Sequence, residues 1–169
     1  MKIKFKNTKE KQVAYIIATG NKQIPHIFTE LMNYITKSDI FIIEYPYCTF
    51  FNNTLNVASE ELHYEIGIPI IGDISGKGMI QIKKIPGKRV VSTIHNGSYK
   101  QINHAYHALM KYAVKNGYLL SGPATEIYIN GTPEVSKNEV SVEVRFPIIK
   151  KWILHHFLYN TRYNAYLTN

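Results

Sequence analysis

The chain repeats itself once, and that constrains its fold more than any other feature. Sliding the sequence along itself by 78 positions lays Leu31-Met32-Asn33-Tyr34 on Leu109-Met110-Lys111-Tyr112. Asn52 and Thr54 fall on Asn130 and Thr132, and Val57 on Val135. Glu61, Glu65, Pro69 and Ile70 fall on Glu139, Glu143, Pro147 and Ile148. Nearer the start the offset is 77, with Lys11-Gln12-Val13 on Lys88-Arg89-Val90 and Gly20 on Gly97. Two long copies do not make a solenoid, whose units are shorter and more numerous. The expectation is two halves, about 1–75 and 76–150, packed around a pseudo-two-fold axis. Residues 151–169 form an extension with no counterpart in the first half.

Each copy reads strand, helix, strand, strand. Strands are expected at 13–19, 47–51 and 62–68, and again at 90–95, 125–129 and 140–146. Ile24, Ile27, Phe28, Leu31 and Ile35 recur at helical spacing behind Pro25, which suits the start of a helix. Ile102, Ala105, Tyr106, Leu109 and Ala113 repeat the stripe, with Ser98 as an expected N-cap and Asn116-Gly117 as the stop. Segments 2–6 and 79–85 are expected to lead the copies as extra strands, Ile3 and Phe5 matching Ile80 and Ile82. The fold class is therefore α+β, a tandem of pseudo-symmetric βαββ motifs (two SH2-like halves) with an antiparallel sheet and one long helix each.

Composition narrows the function. With 45% hydrophobic and 19% charged residues the chain has the make-up of a folded domain. One cysteine, Cys48, leaves no internal disulfide or thiolate metal cluster, so a reducing cytoplasm is the expected compartment. No signal peptide and no apolar run of membrane-spanning length is present. The net charge of +8 raises the question of nucleic acid. Its lysines are scattered, however, without a helix-turn-helix, zinc-finger or RNA-binding strand pattern, so no direct nucleic-acid contact is expected. His155-His156 lacks the spacing and acidic company of a metal site. No metal and no cofactor is implied.

Strand alternation then separates the sheet faces. Val140, Val142, Val144 and Phe146 are expected against the helices, with Ser141, Glu143 and Arg145 opposite. In the strand around Glu126, Ile127 and Ile129 are expected against the helices, and Glu126 and Tyr128 on the other face. The offset places Cys48 and Phe50 where Glu126 and Tyr128 stand, and His63 and Glu65 where Ser141 and Glu143 stand. A groove between the halves would then be lined by Phe50, Tyr128, His63 and Cys48 around Glu126, with Glu65 and Ser141 as further candidates. A carboxylate among aromatics suffers desolvation that a cationic guest offsets. The plainer alternative makes Glu126 a rim glutamate bonded to a lysine or an amide, and Glu65 and Glu143 partners of Arg145 or a lysine. The sequence offers no Ser-His-Asp or Cys-His arrangement, so any catalysis would rest on Glu126.

Several short motifs together resemble the GyrI-like family, found also as effector-binding domains of AraC-type and MerR-type regulators. They are His95-x-Gly97-x-Tyr99, Asn116-Gly117-Tyr118, Gly122-Pro123, Glu126-Ile127-Tyr128 and Phe146-Pro147-Ile148. "YEIGIPI" at 64–70 carries the likeness into the first half, and coverage runs from residue 1 to about 150. The resemblance implies a hydrophobic cleft between two βαββ motifs that takes small cationic or aromatic molecules, with Glu126 as the acidic residue facing them. It implies a stand-alone protein, Met1 lying almost directly on the first strand. For some members it implies gyrase inhibition, hence a protein partner or homodimer, or hydrolysis of cyclopropane-containing toxins.

Overall fold

The structure, a computed structural model, describes residues 1–20, 24–52, 58–130 and 139–152. The first half contributes β1 (Lys4–Asn7), β2 (Lys11–Thr19), α1 (Ile24–Thr36), β3 (Phe41–Ile42), β4 (Tyr47–Phe50) and β5 (His63–Ile71). The second contributes β6 (Gln81–Ile85), β7 (Arg89–Gly97), α2 (Asn103–Lys115), β8 (Tyr118–Leu120), β9 (Ala124–Tyr128) and β10 (Val140–Lys150). Both apolar stripes foreseen for the helices are the buried ones, from Ile24 to Ile35 in α1 and from Ile102 to Ala113 around α2. Gly117, at φ +75°, ends α2. Ser98 does not cap it. A short 3-10 turn at Tyr99–Gln101 leads into the helix instead, and the Ser98 carbonyl lies 2.9 Å from Nε2 of His95.

The main sheet runs β1-β7-β10-β9-β4-β5-β2-β6, with β3 on β5 and β8 on β10, and all its ladders are antiparallel. This order is palindromic under exchange of the halves. The first strand of each copy crosses over: β1 pairs with β7, and β6 pairs with β2. At the centre β4 meets β9, with Cys48 opposite Glu126, Thr49 opposite Thr125 and Tyr47 opposite Ile127. The 78-residue offset converts the Tyr47–Ile127 pair into the Thr49–Thr125 pair, so the pseudo-axis passes between Cys48 and Glu126.

Residues that match in sequence build equivalent parts of the frame. The Asn52 side-chain carbonyl accepts from the His63 N–H at 3.0 Å, and that of Asn130 accepts from the Ser141 N–H. Gly20 and Gly97 both need positive φ, +82° and +125°. Lys6 and Lys83, 77 apart, hold the matched Glu143 and Glu65 across the exchanged strands.

Glu143 also accepts from Arg145 Nη2 at 2.6 Å. Desolvation pushes its carboxyl pKa up, but the bonds from Arg145 and Lys6 win and hold it at about 2. Lys6, in contrast, is pulled below its ordinary value because burial outweighs its bond to Glu143. The pair's stability therefore resides in the doubly bonded carboxylate. A lowered acid pKa gives stability that is full above about 4.5 and is lost as pH falls towards about 2. Glu143→Gln is expected to cost about 2–4 kcal/mol at neutral pH, seen as a lower urea midpoint. The gap to wild type should close on acidification; a constant gap would show that the ion pair is not its cause.

Candidate functional site

Glu126 is a fully buried carboxylate, 2% exposed, in the middle of the central strand pair. It points towards the helices rather than away from them, which corrects the face expected from alternation. It is paired with Val144 across the β9–β10 ladder, and directly paired residues share a face. Tyr128, two residues on, and Cys48 and Phe50 on β4 lie on this helix side too. Ile127 turns the other way and packs with Val13 and Tyr47.

Three phenols converge on the carboxylate. Tyr106, in the first turns of α2, donates to Oε1 at 2.6 Å. Tyr99, in the turn before α2, donates to Oε2 at 2.7 Å, and Tyr128 donates to the same oxygen at 3.1 Å. Burial raises the pKa of Glu126; the three donors and the nearby His95 pull it down without cancelling that rise. The phenols of Tyr99, Tyr106 and Tyr128 are pushed well above their usual value, first by burial and, next among the causes, by the charge of Glu126. They remain neutral donors at physiological pH.

The walls are aromatic. Phe28 packs edge-on against Tyr128 at 5.6 Å, and Tyr106 against Phe146 at the same distance. Tyr106 and Tyr128 are buried, whereas Tyr99 is half-buried with its hydroxyl on the carboxylate. Of the three donors it is the one whose side chain is not fully buried.

The two halves differ at this spot. Under the 78-residue offset Cys48 stands for Glu126, Phe28 for Tyr106 and Phe50 for Tyr128. One half thus supplies the carboxylate and its hydroxyls, and the other supplies apolar equivalents.

The remaining candidates stand apart. His63 is exposed, its ring 5.2 Å from Phe51, and does not join Glu126. Glu65 lies on the open face, where it is bound by Lys83 and accepts from the Tyr47 hydroxyl at 2.7 Å. Ser141 shares the position equivalent to His63 and contributes its backbone to the Asn130 contact. The expected single groove around Glu126 therefore divides into two regions on opposite sides of the sheet. Residues 153–169, including His155-His156, lie outside the described residues. Among the described residues there is no group of three His, Cys, Asp or Glu side chains able to hold a metal, and no helix long and apolar enough to cross a membrane.

Sequence reasoning passed over Tyr99 and Tyr106 as partners of Glu126. The signal was available for Tyr106: a phenol on a buried helical stripe needs an acceptor, and the nearby strands offer the carboxylates of Glu126 and Glu143.

Residues 1–149 match the GyrI-like small molecule binding domain, and the chain belongs to that family. Its fold is that of the EcmrR C-terminal domain, with TM-score 0.72 and 22% identity over 88% of this chain and 98% of that one. Against EcmrR in its DNA complex the TM-score is 0.75, and the chain spans 57% of that protein's length. A hydrolase from Listeria innocua superposes with TM-score 0.70 at 11% identity, over 88% of this chain and 92% of that one. SAV2435 bound to tetraphenylphosphonium gives 0.54 at 11% identity, over 92% and 99%. No curated protein matches the sequence.

Proposed function

We propose that this protein captures a hydrophobic organic cation at Glu126, on the helix side of the β4–β9 seam. The observation that carries the reading is a fully buried carboxylate that accepts from three neutral phenols and, among the described residues, takes part in no salt bridge. A cation arriving there gains the carboxylate and the faces of Tyr99, Tyr106, Tyr128 and Phe28, each ring adding about 0.5–2 kcal/mol. Tyr99 swings aside to admit it. The tetraphenylphosphonium bound to the structurally similar SAV2435 supports the chemical class. The test is titration of tetraphenylphosphonium against wild type and Glu126→Gln, and equal affinities would end the proposal.

A hydrolytic role is the second reading, favoured by the raised pKa of Glu126 and by the hydrolase name of the Listeria innocua neighbour. Against it, three donors occupy three of the carboxylate's roughly four acceptor positions and weaken it as a general base. Turnover of a strained cyclopropane substrate, lost in Glu126→Gln, would favour this reading over capture.

A further inference from the structure

Behind Glu126, on the face away from the helices, the sheet holds a concavity of about 450 Å³, a volume that suits a drug-sized molecule. Its floor includes Tyr47 and Thr49 of β4 and Thr125 and Ile127 of β9. These alternate with Cys48 and Glu126 along the same strands, so the pseudo-axis runs through both sites. The Thr49 and Thr125 hydroxyls are joined at 2.8 Å, and the rest of the floor is apolar or aromatic.

The rim carries the opposite charge to the helix-side site. Lys9, Lys11, Lys83, Lys84, Lys88 and Arg145 line the cavity, with Glu65 as the acidic residue among them. Lys83 is held by Glu65, Lys11 by Glu44 at 2.5 Å and Arg145 by Glu143. Lys9, Lys84 and Lys88 have no ion-pair partner among the described residues. The segments bearing Lys9 and Lys88 are locked together. The Thr8 N–H donates to the Lys88 carbonyl at 2.8 Å, and the Lys88 N–H donates to Thr8 Oγ1 at 2.9 Å. Gly87 lies so close that a Cβ there would be 2.6 Å from the Thr8 carbonyl oxygen. The positive rim is thus anchored by backbone, over an aromatic floor.

We propose that this open-face cavity binds an organic anion with a flat apolar body. Its ring lies over Tyr47 and Ile127, and its sulfonate or carboxylate meets Lys9, Lys84 and Lys88. The sign of the rim sets the ligand class, since Lys11, Lys83 and Arg145 are each offset by a carboxylate while Lys9, Lys84 and Lys88 leave a positive excess that repels the cations proposed for Glu126.

The probe is anilinonaphthalene sulfonate, with phenylnaphthylamine as the same ring system lacking the anion. Saturable fluorescence with the sulfonate, weakened by added salt, is expected for wild type. Lys84→Glu combined with Lys88→Glu, both at exposed positions, should weaken it about tenfold or more. The same variant should keep its tetraphenylphosphonium affinity within about threefold, which also reports on its folding. Equal binding of the neutral and anionic dyes, or a double variant that binds the sulfonate as tightly as wild type, would overturn the assignment. So would parallel loss of both ligands, which would place the dye at the Glu126 cluster. Loss of the sulfonate alone establishes the second site even if no cation binds at the first.

Discussion

Exchanging Glu126 for glutamine is expected to lower the affinity for tetraphenylphosphonium about 10–100-fold while making the unliganded protein more stable at neutral pH. The two effects share a cause. A unit charge about 4 Å from a carboxylate at an effective dielectric near 20 is attracted by roughly 4 kcal/mol, and desolvation of both partners removes part of it. A net loss of about 1.4–2.8 kcal/mol is that 10–100-fold change. Without ligand the same carboxylate is a cost, because burial raises its pKa against the pull of three phenols. A raised acid pKa means that the folded state is disfavoured as pH rises through it, and that no penalty remains below the ordinary carboxyl range. The glutamine variant should therefore melt higher than wild type at pH 8, by a few degrees if the gain is about 1 kcal/mol. The difference should shrink on acidification. Cation affinity of the wild type should rise with pH through the same window and then level off, since ligand binding selects the ionised form. A pH-independent affinity, or a less stable glutamine variant at pH 8, would contradict the account.

A second large effect is expected from Gly67→Val. In most central strands valine in place of glycine is favourable. Here a Cβ on Gly67 would lie 2.6 Å from Cε1 of Tyr47 and would overlap its Cζ and hydroxyl oxygen. Tyr47 is buried, pairs directly with Gly67 across the ladder and donates to Glu65. Moving its ring breaks that bond, strips a donor from a buried carboxylate and removes the floor of the open-face cavity. Destabilisation of about 2–4 kcal/mol is expected, a fall of roughly 5–15 °C in melting temperature. Dye binding at the cavity should fail with it. In the other half the offset replaces Gly67 by Arg145, opposite Thr125, so the two halves fill this space in different ways.

The repeat made the frame legible. Matching residues such as Asn52 and Asn130, or Glu65 and Glu143, turned out to hold equivalent turns and ion pairs, and the helical stripes were readable because a helix buries one face. The Glu126 cluster was less legible for the opposite reason. It lies where the copies differ, at Cys48 against Glu126 and Phe28 against Tyr106, and alignment of the halves gives no weight to differences. Alternation within β9 did not fix its face, because Ile127 packs in a small apolar cluster on the open side just as Glu126 packs beneath α2. The ladder partner Val144, itself legible as core, was the better guide. Phe41–Ile42 and Tyr118–Leu120 escaped notice as strands, two and three residues being too few to show a period.

The crossing-over of Lys4–Asn7 and Gln81–Ile85 has a further implication. A lone copy of the motif would leave one sheet margin bare, and only a twin lending its own leading segment would cover it. Such a pair would come apart on dilution. Joining the copies in one polypeptide replaces that dependence on concentration with a tether. It also lets the two sides of the axis carry different chemistry, an acid at Glu126 facing a thiol at Cys48.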